Sequence, residues 1–161
     1  MVLWFAGGAF VVVWSVFRSP AVDYRLVLVG ALLPLLELPL GEPRVLHSVT
    51  GAVALLGLAM VATPRRRLVQ RRLVAVPIGV LVHLLLDGSW TEARAFWWPL
   101  AGLDVGDTRL PELARGPFDL VLEAVGAAAL WWCWQRFGLG DAGRRRRFLT
   151  TGRLGRDVAA P

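Results

Sequence analysis

The apolar residues of this chain fall into five blocks, separated by short runs of charge, glycine and proline. The first runs from Val2 to Phe17 and is closed by Arg18. The second runs from Leu26 to Leu40 and is interrupted by Pro34, Glu37 and Pro39. The third covers Val45 to Ala62 and the fourth Leu73 to Leu86. The fifth covers Leu120 to Trp134 and extends at most from Pro117 to Phe137. A surface helix of a soluble bundle carries a polar stripe opposite its apolar one. These blocks leave no such faces, so the pattern predicts an all-α protein of about five short transmembrane helices. Several blocks fall below the ~20 residues that span a bilayer comfortably. Flanking arginines that snorkel and local thinning of the bilayer allow shorter helices to span. The first block has no positively charged stretch before it and no small-x-small cleavage pattern after it, so it is read as a retained helix and not as a signal peptide.

The arginines orient the helices. Arg18 and Arg25 lie between blocks one and two. Arg65, Arg66, Arg67, Arg71 and Arg72 lie between three and four. Arg136, Arg144 to Arg147, Arg153 and Arg156 follow block five. If all five blocks span, these fourteen share one side, and the other has only Arg44, Arg94, Arg109 and Arg115. The positive-inside rule then puts the amino terminus outside and the carboxyl terminus in the cytoplasm of a bacterial inner membrane. Acids lean the other way, with Glu42, Glu92, Asp104, Asp107 and Glu112 outside. The expected organisation is a membrane domain over residues 1–137, with an outer loop at 88–119, and an arginine-rich, flexible cytoplasmic tail over 138–161. In the outer loop, Trp90, Phe96, Trp97 and Trp98 suit the aromatic belt of a membrane interface.

Composition changes this picture little. The 161 residues suffice for one domain, and 56% are hydrophobic. Mean hydropathy is +0.56 and the isoelectric point near 11.3. In a soluble protein that basicity would suggest nucleic acid. Here topology accounts for the arginines, so no nucleic acid is expected; the partner is the lipid bilayer, with Arg144–Arg147 on anionic headgroups. The lone Cys133 excludes an internal disulfide and any multi-cysteine metal site. Nothing in the pattern fixes an oligomeric state.

Polar residues inside apolar blocks are the candidate chemistry, because they are costly there without a partner or a task. His83 and Asp87 are four residues apart and stack on one helix face. The topology brings them, at the outer end of block four, to the depth of Glu37 and of His47 and Ser48. These are the only two histidines of the chain. Two imidazoles and one or two carboxylates suit zinc first, with manganese or iron also compatible. The expected ligands are His47, His83 and Asp87, with Glu37 as fourth ligand or general base and Ser48 orienting a ligand or a water. A plainer alternative stays open for each residue. His83 and Asp87 could bond to each other, Glu37 could face water, and Ser48 could only cap a helix.

The same residues resemble a family of bacterial inner-membrane metal-dependent hydrolases, the group that includes a LexA-regulated member. Its members show Pro-Asp-x-Asp-His at the end of an apolar helix, His-Arg-Gly-x-Thr-His-Ser at the start of the next, then His-x-x-x-Asp and a Trp-Pro element. Leu33-Pro34-Leu35-Leu36-Glu37 looks like the first, Arg44-Val45-Leu46-His47-Ser48 like the second, and His83 to Asp87 with Trp98-Pro99 like the third. The similarity spans roughly Gly30 to Leu100. Leu35, Leu38, Glu42 and Leu46 stand where the family has aspartate, histidine, histidine and threonine. The resemblance implies a metal-dependent hydrolase with a thinned ligand set, and brings no substrate with it. Outward access suits an ester or phosphoester of lipid or envelope. Two other functions fit the same residues: a non-catalytic membrane scaffold locked by its polar cluster, and a haem protein ligated by His47 and His83.

Overall fold

A computed structural model of the chain describes residues 1–40, 45–103 and 116–155. Glu42, Arg44, Asp104, Asp107, Arg109, Glu112, Arg115 and Arg156 lie outside the described residues. Among those described, every regular element is a helix, so the chain is all-α. In order they are α1 (Val2–Phe17), α2 (Tyr24–Leu32), a 3-10 stretch (Leu33–Leu40), α3 (Val49–Val61), α4 (Arg67–Leu73) and α5 (Ala75–Asp87). A 3-10 turn (Ser89–Thr91), α6 (Ala93–Phe96), α7 (Phe118–Arg136) and α8 (Ala142–Thr151) follow.

Local chemistry explains the breaks. Pro34 lacks the N–H that an α-helix would need, and α2 gives way to 3-10 geometry one residue before it. The Ser48 side chain caps α3. Pro77 lacks the N–H that would bond to the Leu73 carbonyl, and α4 and α5 are interrupted between those two residues, at Val74. Gly88, in the left-handed region at φ 80°, ends α5. The Asp141 side chain accepts from the Arg144 backbone N–H and opens α8, so part of the arginine-rich tail is helical.

Two close helix contacts build the body. A Cβ at Gly79 would collide with the Val27 carbonyl of α2, and one at Gly30 with the Val76 carbonyl of α5. Where α1 meets α7, a Cβ at Gly7 would strike the Gly126 carbonyl. Small residues of this kind let helix backbones approach closely. Phe10 stacks on Tyr24 with ring centroids 4.6 Å apart and on Phe137 at 5.4 Å, and Cys133 is buried in the same core. Burial pushes the Tyr24 phenol well above its ordinary pKa, so it stays neutral and donates to the Ser19 carbonyl at 3.0 Å. The tail docks here: the Tyr24 N–H donates to the Gly152 carbonyl at 2.9 Å, and Arg25 Nη1 to the Leu149 carbonyl at 2.6 Å.

Taken together across the turn at Val74, α4 and α5 (Arg67–Asp87) are long and apolar enough to cross a membrane. Val2–Phe17 and Val49–Val61 are shorter apolar helices. Large apolar side chains are exposed along several helices, among them Val16, Leu58, Val61, Leu85, Leu120 and Trp131. Meanwhile Glu37, His47, Ser48, His83, Asp87 and Ser89 are buried.

Candidate metal centre

The buried polar residues meet in one cluster, assembled from four parts of the chain. The 3-10 stretch supplies Glu37, the segment ahead of α3 supplies His47, and the last two turns of α5 supply His83 and Asp87. α1 closes the cluster with Phe5, whose ring stacks on His83 at a centroid distance of 3.9 Å.

Each imidazole is held through Nδ1. His47 Nδ1 lies 2.8 Å from Glu37 Oε2, and Glu37 Oε1 accepts from the Leu46 backbone N–H at 2.9 Å. His83 Nδ1 lies 2.7 Å from the Ala31 carbonyl oxygen. The Ala31 carbonyl only accepts, so His83 Nδ1 carries the proton, and the Glu37 carboxylate, when ionised, requires the same of His47 Nδ1. In the neutral tautomers the lone pairs then sit on the two Nε2 atoms. His47 Nε2 is buried and has no hydrogen-bond partner among the described residues. The two rings meet edge to face with centroids 5.4 Å apart.

Asp87 is fully buried one turn beyond His83. Its Oδ2 accepts from Ser89 Oγ at 2.6 Å. His47, His83 and Asp87 each bring one donor atom within 4.8 Å of the other two. Tetrahedral ligands on a zinc ion, at ~2.0–2.2 Å, stand about 3.3–3.6 Å apart, so side-chain movement of up to about 1.5 Å would close the set on an ion. The donor types also fit: two imidazole nitrogens with a carboxylate oxygen suit zinc, and manganese or iron as well.

Glu37 stands behind His47, with both oxygens already accepting hydrogen bonds. Ser48 is buried next to His47 in sequence, but its hydroxyl is used locally. It donates to the Val45 carbonyl at 2.8 Å and accepts from the Gly51 N–H at 2.9 Å. Three further contributors are Ser89, Phe5 and the Ala31 carbonyl. Ser89 carried a usable signal, a hydroxyl two residues past an aspartate at a helix end. Phe5 is one aromatic among many in an apolar block. The Ala31 carbonyl is backbone and leaves no trace in residue type.

No family model, no curated protein and no solved structure matches this chain.

Proposed function

We propose that this is a five-span bacterial inner-membrane protein with a divalent-metal site of His47, His83 and Asp87 that hydrolyses an ester or phosphoester. One observation carries the reading: three buried donors from two parts of the chain converge within 4.8 Å. The hydrogen bonds at both Nδ1 atoms support it, since ligating histidines are characteristically oriented by a carboxylate or carbonyl on the other nitrogen. Membrane residence is supported by the exposed apolar helices surrounding buried polar residues. A bound divalent ion would supply Lewis acidity and acidify a water molecule. Within the chain, Glu37 and the Ala31 carbonyl fix the two imidazoles, and Ser89 fixes the carboxylate of Asp87. Three protein ligands are the complement of a catalytic zinc site, which keeps one position for water or substrate.

The edge-to-face contact of the two rings, with Phe5 on His83, leaves no gap for a porphyrin and favours a bare ion over haem. Burial of all three ligand residues favours one second reading, an ion that only locks the helices together. A panel of carboxylic and phosphoric esters, assayed with the purified protein in lipid vesicles, separates the two. The hydrolase reading expects turnover that a chelator abolishes, that added zinc or manganese restores, and that His83→Ala lacks. Absence of turnover in metal-loaded protein sinks the hydrolase and leaves the structural ion.

A further inference from the structure

A groove runs between the second half of α3 and the α4–α5 junction. Leu55, Leu58 and Ala62 form one wall and Leu73, Val76 and Pro77 the other, enclosing about 260 Å³ of apolar space. The two walls are joined by the segment 63–72, which carries Arg65, Arg66, Arg67, Arg71 and Arg72. All five are exposed. Ala62 is three residues from the first of them and Leu73 directly follows the last, so the groove ends where the arginines begin. There is no acidic residue between Val45 and Leu86. Among the described residues none of the five forms an ion pair.

We infer that this groove binds one anionic phospholipid, with its phosphate on the arginine cluster and one acyl chain along the apolar walls. Two independent features point to the same molecule. No ion pair among the described residues neutralises the cluster, and guanidinium forks match phosphate oxygens geometrically. The groove needs an apolar occupant, and its shape beside a charged end fits a headgroup continuous with a chain. A nucleic acid would satisfy the arginines and leave the groove unused. The site is separate from the metal centre. α3 starts next to His47 and its 13 residues rise about 20 Å, placing the arginines at the far end. The inference therefore does not depend on bound metal or on hydrolysis.

Native mass spectrometry of the full chain released from detergent tests it, with phosphatidylglycerol and phosphatidylcholine of identical acyl chains as probes. Retention of one phosphatidylglycerol, and much weaker retention of phosphatidylcholine, is expected. Combining Arg66→Gln, Arg71→Gln and Arg72→Gln, all at exposed positions, should weaken retention about tenfold or more. Ala62→Phe, which narrows the groove and leaves every arginine in place, should weaken it as well. Leu120→Phe on α7 should not. Circular dichroism confirms that each variant keeps its helices, and Ala62→Leu replaces Ala62→Phe if the larger side chain disturbs them. Equal retention of the two lipids overturns the proposal. So does retention indifferent to the groove substitution, which would mean diffuse attraction of charge, or equal displacement by a single-stranded oligonucleotide.

Discussion

Glu37 Oε2 lies 2.8 Å from His47 Nδ1, and the Leu46 N–H holds the other oxygen of the same carboxylate. Glu37 therefore sets the rotation of the His47 ring, and as a carboxylate it selects the tautomer that leaves Nε2 able to bind a metal. Glu37→Gln keeps the size and loses the charge. Metal affinity should fall about 10–100-fold, as it does when such supporting partners are removed elsewhere. Chelator competition on wild type and variant measures this, with circular dichroism to confirm the fold. If affinity is unchanged, Glu37 does not act through His47.

The two serines flanking the cluster should separate cleanly. Ser89 bonds to the Asp87 carboxylate, and Ser48 bonds only to backbone. Ser89→Ala should weaken metal binding with little effect on folding. Ser48→Ala removes the cap of α3 and should cost about 1 kcal/mol of stability, with metal stoichiometry intact. Thermal unfolding and metal titration on both variants check the pair, and an exchange of the two phenotypes would reverse the assignments.

Gly79 sets how closely α5 approaches α2, and that approach puts the Ala31 carbonyl against His83. Gly79→Ala must push the helices apart, at a cost of about 1–3 kcal/mol for overpacking. A lower melting temperature together with weaker metal binding is expected. Gly57→Ala on α3 meets nothing within 4 Å and serves as the control.

A five-span arrangement puts Trp90 and Arg66 on opposite sides of the membrane. In a Cys133→Ala background, Trp90→Cys should react with a membrane-impermeant maleimide on intact spheroplasts. Arg66→Cys should react only after permeabilisation. Labelling of both from one side would contradict the five-span arrangement.

The all-helical class was legible because long apolar runs with few strand-like alternations leave no other regular structure. The meeting of His47 with His83 was legible too, since counting arginines put both at one end of their helices. The mode of support was not. Residue types cannot reveal that a backbone carbonyl, and not Asp87, takes His83 Nδ1, or that Ser48 spends its hydroxyl on Val45 and Gly51. The close helix contacts were equally hidden: Gly7 faces Gly126 and Gly30 faces Gly79 across different helices, so no spacing motif forms within one helix. In the tail, the Asp141 cap, the docking to Tyr24 and Arg25 and the packing of Phe148 against Phe10 hold α8, and none of these shows as periodicity.

The proposed function rests on His47, His83 and Asp87 holding one metal ion. Elemental analysis of the purified protein, loaded with zinc, manganese or iron and then dialysed, tests it most directly. About one ion per chain is expected in wild type, with loss of that ion in His47→Ala, His83→Ala and Asp87→Asn while helicity is retained. A wild-type protein that holds none of the three metals, or variants that hold as much as wild type, would contradict it.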